Sequence, residues 1–265
     1  MKQASPTIVG VVVRVSDFEA SSAFYRDDLG FSPTHEVIGS PGTRRAELAN
    51  GSLTVWLVEV DEQAGLEYPR SSKAHLNIEV ANLDEHLDRL VDRGVRVLAE
   101  EPRQAAIGPN MPIEDPAGNI VHLLELTQRS EKLPKPTVFN LSVTVPTMAD
   151  ARAFYEGVLG FRVYSEEYYP PVIPFVPAGP LQVVLHESAQ EAVDRQADQA
   201  QVNLVFAVDD LEQTRRELAA KGATLRPSAG VATFIEHLAV VDPFGNVHLV
   251  LAAGDSPMLA AEAAP

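Results

Sequence analysis

Ala23-Phe24-Tyr25, followed by Leu29-Gly30-Phe31, returns 130 residues later as Ala153-Phe154-Tyr155 and Leu159-Gly160-Phe161. Asp115-Pro116-Ala117-Gly118-Asn119 returns 127 residues later as Asp242-Pro243-Phe244-Gly245-Asn246. Motifs kept in order at nearly one offset make the chain two copies of one domain, and such a repeat governs every local reading that follows. The polar stretch between the copies carries Pro134 and Pro136 and reads as a linker. The expected boundaries are 1–127 for the first domain, 128–136 for the linker and 137–252 for the second domain. Residues 253–265, rich in alanine and without periodicity, are expected to be a disordered tail.

Each copy is itself doubled. Strands starting near Val9, Ala74, Phe139 and Val202 carry apolar residues at alternate positions: Val11, Val13, Val15; Leu76, Ile78, Val80; Leu141, Val143, Val145; Leu204, Phe206, Val208. Period two means a strand with one face packed on something apolar. A helix follows each strand, over about Asp17 to Gly30, Asn82 to Gly94, Thr147 to Gly160 and Asp210 to Gly222. Asn82 with Glu85 three residues on suggests a capping box. Leu83, Leu87, Leu90 and Val91 fall on one helical face. Gly94 stands where a left-handed cap residue is wanted. Shorter strand-like runs come next, and Asp-Pro-x-Gly, a type I turn signature, introduces the last strand of each copy. The predicted class is α+β, built from four βαβββ units.

The composition narrows the function classes. At 265 residues, 45% hydrophobic and 22% charged, the chain is that of an ordinary globular protein. It has no cysteine, which excludes disulfides, thiolate metal sites and a cysteine nucleophile. The net charge of −16 repels phosphate backbones, so nucleic acid is not an expected partner, and neither is a membrane. No apolar run reaches the roughly 18 residues of a membrane span. Met1 to Thr7 shows no basic segment before an apolar core, and a cytoplasmic location is the default expectation. No nucleophile elbow, phosphate loop or dinucleotide fingerprint is present.

A strand, Phe-Tyr in the first helix, Leu-Gly-Phe after it and a closing Asp-Pro-x-Gly-Asn strand resemble the vicinal oxygen chelate superfamily of glyoxalases, bleomycin-resistance proteins and extradiol dioxygenases. The resemblance covers nearly all of residues 7 to 252, twice. It implies paired units whose sheets curl into cups, helices outside and ligand within. The apolar positions then face the helices, and the alternate residues face the cups: His75, Asn77 and Glu79; Gly10, Val12 and Arg14; Asn140, Ser142 and Thr144; Asn203, Val205 and Ala207.

Family metal ligands stand on the first strand and a late strand of a unit. Counting along the repeated motifs puts Gly10, His75, Asn140 and Asn203 at first-strand positions. Thr54, His122, Gln182 and Leu249 fall at the late ones. Asn140, Asn203 and Leu249 depart from the family pattern and exclude a two-His, one-Glu dioxygenase centre in the second copy. His75 and His122 are the candidate metal ligands, and one divalent ion is the cofactor they imply. Pairing within copies groups Gly10, Thr54, His75 and His122. Pairing across copies groups His75, His122, Asn140 and Gln182, and leaves Gly10, Thr54, Asn203 and Leu249 in the other cup.

Glu79 is the candidate base. Arg14, Trp56, Asn77, Asn140, Ser142 and Gln182 are candidate ligand contacts. Arg14 is suited to a carboxylate, and Trp56 to a flat ring or to the core. Tyr168 to Pro171 make a candidate covering loop. His186, His237 and His248 carry no pattern. Two functions stay open: a metal-assisted lyase, isomerase or oxygenase, or a metal-free protein that binds an antibiotic or metabolite. Either takes a small organic ligand, as a monomer or homodimer.

Overall fold

The computed structural model describes residues 6–38, 44–60, 74–105, 107–128, 133–163, 172–176, 181–189, 202–226 and 237–253. The expected tail from 254 onward and the loop Tyr168 to Pro171 lie outside the described residues.

Each of the four predicted units forms as β-α-β-β-β. The first has β1 (Thr7–Val15), α1 (Phe18–Ala23, continued by a π-helical turn Phe24–Asp28), β2 (Ser32–Ile38), β3 (Arg45–Asn50) and β4 (Leu53–Glu59). The second has β5 (Ala74–Glu79), α2 (Leu83–Asp92), β6 (Arg96–Val97), an added short β7 (Arg103–Ala105), β8 (Gly108–Glu114) and β9 (Ile120–Leu124). The third has β10 (Thr137–Val145), α3 (Met148–Arg152, continued by a π-helical turn Ala153–Val158), β11 (Arg162–Val163), β12 (Val172–Val176) and β13 (Val183–Glu187). The fourth has β14 (Val202–Val208), α4 (Leu211–Ala220), β15 (Thr224–Arg226), β16 (His237–Val241) and β17 (Val247–Ala252).

Local chemistry sets the helix starts. Asp17, Asn82 and Asp210 accept from the backbone N–H three residues on, at 3.0, 3.1 and 2.8 Å, which satisfies donors a helix N-terminus leaves open. Gly94 ends α2 at φ +81°, a left-handed conformation that glycine adopts without strain. The expected apolar face of α2 needs one correction. Val91 is 56% exposed, whereas His86 is buried with Leu83 and Leu90. Successive helical residues turn by about 100°, so Val91 points away from a face centred on Leu83, His86 and Leu90.

The two sheets mix the sequence copies. One has the order β15-β16-β17-β14-β1-β4-β3-β2, joining the first unit to the fourth. The other runs β11-β12-β13-β10-β5-β9-β8-β6, joining the second to the third, with β7 added on β8. Both junctions, β1 on β14 and β10 on β5, are antiparallel. Of the two pairings open to the sequence, the structure takes the one across copies.

The repeated motifs tie the two sheets together. Tyr25, from the first unit, donates to Asp115 Oδ2 of the second at 3.0 Å. Asp115 also accepts from the backbone N–H of Ala117 and Asn119 and from Asn119 Nδ2, which shapes the turn. Tyr155 stands in the same relation to Asp242, at 3.4 Å. Phe-Tyr and Asp-Pro-x-Gly-Asn are thus the two ends of one buried bond. Burial and then Asp115 raise the Tyr25 hydroxyl well above its ordinary pKa, so it remains a donor. The alternating apolar residues of β1, β5, β10 and β14 all join one core with these tyrosines.

Candidate functional site

The face of each sheet turned away from that core carries the candidate residues. In the second sheet Asn77 on β5 lies opposite Asn140 on β10, and His75 opposite Ser142. His122 on β9 lies beside Asn77, and His186 on β13 beside Thr144. This is the histidine cup. The rings of His75 and His122 stack, with centroids 4.5 Å apart and planes inclined by 21°. His186 is 6.4 Å from His75, again nearly parallel. Asn77 Nδ2 donates to Asn140 Oδ1 and, at 2.6 Å, to Ser142 Oγ. Ser142 Oγ is in turn 3.2 Å from His186 Nε2. Burial, then the charges of His186 and Arg103, pushes His122 down to about 4, and burial lowers His186. Both shifts favour the neutral rings, and His186 is the one of the two with a hydrogen-bond contact among the described residues.

The sequence brings His75 and His122 to the same cup, as expected. Their geometry does not suit a metal ion. Ring-nitrogen lone pairs lie in the ring planes, and two stacked planes send them side by side instead of converging on one point. Of the surrounding donors, the amides and the hydroxyl are weak ligands for an ion that favours imidazole, and the third imidazole, His186, has its Nε2 against Ser142 Oγ at 3.2 Å. Among the described residues no three His, Asp or Glu side chains are arranged around a common ion position.

Glu79 is buried on β5, beside Leu124 and opposite Thr137. At 3.3 Å per residue it stands about 13 Å along the strand from His75, one side-chain row beyond Asn77 and His122. Gln182 is half-buried just before β13, and its carbonyl accepts from the Leu141 N–H at 3.0 Å. His186 is the member the sequence reading missed. The alternation that puts Gln182 on the cup face reaches His186 two steps later.

The other cup is different at every matching position. Asn203, Val205 and Leu249 stand where the histidine cup has His75, Asn77 and His122, and Val12 and Val58 where it has Ser142 and His186. Trp56, Val12, Val205, Val247, Leu249 and Leu251 form a separate apolar cluster. A Cβ on Gly10 would overlap the Thr54 carbonyl and the Trp56 ring, so the missing side chain makes room for the indole. Trp56 Nε1 donates to Glu47 Oε2 at 2.9 Å. Arg14 is buried and donates to Asn203 Oδ1 at 2.6 Å, while Asn203 Nδ2 donates to the Val247 carbonyl. Arg14 and Trp56 therefore sit together in this tryptophan cup, apart from the other candidate ligand contacts.

His237 is buried on β16. His248 is buried in the common core, with Nε2 2.9 Å from the Tyr155 hydroxyl. Among the described residues no helix is long and apolar enough to cross a membrane.

Known proteins place this architecture. No curated protein sequence matches the chain. Glyoxalase I from Zea mays superposes with a TM-score of 0.67 at 15% identity, over 94% of this chain and 92% of its own. A provisionally named dioxygenase from Bacillus subtilis superposes with a TM-score of 0.66 at 11% identity, over 96% of this chain and 87% of its own. At such identities the likeness is one of fold. The family model described as Glyoxalase/Bleomycin resistance protein/Dioxygenase superfamily matches residues 7–123 and again 137–248. The chain belongs to that superfamily, in a form with two tandem domains.

Proposed function

We propose that the protein binds a small organic molecule in the histidine cup, one molecule per chain, without a metal ion. The contrast between the cups carries this reading. The same positions of the same repeat hold His75, Asn77, His122, Ser142 and His186 in one cup, and Asn203, Val205, Leu249, Val12 and Val58 in the other. A sheet face that only had to pack would be filled alike in both. Asn77, Asn140, Ser142 and His186 are held to one another by hydrogen bonds, so the polar groups of this cup stand in fixed positions, as those of a binding site do.

A second reading, a metal-assisted lyase, isomerase or oxygenase with Glu79 as base, has one observation in its favour: His75 and His122 are in contact within one cup. It requires one ring to leave the stack and a further donor to approach.

The test takes its variant from the protein itself: Asn77→Val, His122→Leu and Ser142→Val together install the tryptophan cup's residues at the matching positions. Protein purified without chelators should contain no stoichiometric metal. Members of a small-molecule panel should raise the melting temperature of the wild type and not of the triple variant. Stoichiometric metal, or ligands that protect both proteins equally, would overturn the reading.

A further inference from the structure

We propose that the histidine cup recognises a planar cis-amide edge, as in a lactam, a cyclic imide or a primary carboxamide; this rests on the reading of that cup as a binding site.

The inference follows from counting hydrogens across the junction of β5 and β10. Asn77 has one amide nitrogen with two hydrogens. One goes to Asn140 Oδ1 and the other to Ser142 Oγ at 2.6 Å, and both donors are used. Two groups are left over, the Asn77 carbonyl oxygen and the Asn140 amide nitrogen. Neither has a partner among the described residues, and Asn77 is only half-buried. The two residues are direct cross-strand partners, so the leftover acceptor and donor belong to neighbouring side chains.

The result does not depend on how the amides are oriented. Oxygen and nitrogen of an amide exchange places by a half-turn. If both were reversed, Asn140 would donate to Asn77, Ser142 would donate to Asn77, and a His186 N–H would donate to Ser142. The pair would then offer the Asn77 nitrogen and the Asn140 oxygen. In either arrangement this cross-strand pair leaves the cup one donor and one acceptor.

That pattern selects a ligand. A carboxylate carries acceptors only and would set an oxygen against an oxygen. An amine or ammonium carries donors only. An open-chain secondary amide is trans, with its N–H and C=O on opposite edges. A cis-amide carries both on one edge and satisfies both asparagines. The neighbouring wall is made of the stacked His75 and His122 rings, His122 standing beside Asn77. Flat rings suit a flat ligand, and a net charge of −16 does not favour an anion.

Phthalimide and N-methylphthalimide form the probe pair, since methylation removes the imide N–H and keeps the ring and both carbonyls. Affinity is measured by calorimetry, and location by the imidazole C2–H resonances of His122 and His186. Phthalimide should bind and shift both resonances, and N-methylphthalimide should bind at least about tenfold more weakly, equivalent to about 1.4 kcal/mol. Asn140→Asp, which replaces the donor by an acceptor, should weaken phthalimide by a similar factor while far-UV circular dichroism is unchanged. Equal affinity for the two imides overturns the proposal. So does a wild-type protein in which other small molecules shift the histidine resonances and phthalimide does not; binding in this cup then stands and only the ligand class falls. If no small molecule shifts those resonances, the reading of the cup as a binding site falls too.

Discussion

His248→Val should remove most of one identifiable acid lability from this protein. His248 lies on β17 at the position that Val121 occupies on β9, so the first copy already shows that valine fits there. The ring is fully buried, its Nε2 faces the Tyr155 hydroxyl at 2.9 Å, and its Nδ1 has no hydrogen-bond partner. Asp242 Oδ2 is 3.9 Å from Nε2, too far to offset the loss of water around a charged ring, and burial pushes His248 down to about 3.

The direction follows from linkage. The unfolded chain takes up this proton near pH 6.5 and the folded chain near pH 3. Stability from this site is level above about pH 6.5 and falls by about 1.4 kcal/mol per pH unit as the pH drops toward 3. At pH 4.5 the accumulated loss is about 3 kcal/mol, a large share of an ordinary domain's stability. At pH 7.5 the substitution exchanges one hydrogen bond of about 1 kcal/mol for apolar burial and relieves an unpaired Nδ1, so the two proteins should agree within about 1 kcal/mol. Urea unfolding followed by far-UV circular dichroism from pH 7.5 to 4.5 makes the comparison. His86 and His122, both lowered to about 4, keep some acid dependence in both proteins; the difference between the curves isolates His248. Parallel curves for wild type and variant would refute the reasoning.

Tyr25→Phe should cost about 1–2 kcal/mol in the same urea assay, because Asp115 loses one donor and keeps three; no change would mean that the bond between the sheets is not stabilising. Trp56→Ala should cost about 3–5 kcal/mol by emptying the tryptophan cup. Gly10→Ala should destabilise by about 1–3 kcal/mol or more, since the new methyl meets both the Thr54 carbonyl and the indole; a neutral Gly10→Ala would show that the ring does not lie against this strand.

The unit architecture was legible because its signals are local. Alternating apolar residues, Asp and Asn caps, glycines after the helices and Asp-Pro-x-Gly turns each act within a few residues, and each appears where the repeat places it. The same alternation put His75, Asn77, Asn140, Ser142, Arg14 and Trp56 on cup faces, where they are found. It went wrong at Val91, where the choice between two adjacent helical positions depends on what the helix packs against. It passed over His186, which ends the apolar run Val183-Val184-Leu185 on β13, where no alternation of polar and apolar residues draws notice.

By itself, then, the sequence determined four βαβββ units in two copies, their caps and turns, and which side chains share a face, because these follow from backbone periodicity and local hydrogen bonding. It left open which units pair. Every unit presents an equivalent first strand, and no local rule distinguishes a partner in the same copy from one in the other. The tertiary structure decided for β1 on β14 and β5 on β10. That choice gathered His75, His122 and His186 in one cup and Trp56 with Arg14 in the other. It also set Asn77 opposite Asn140, so the donor and acceptor left to a ligand arise from a contact between residues 63 apart in the chain.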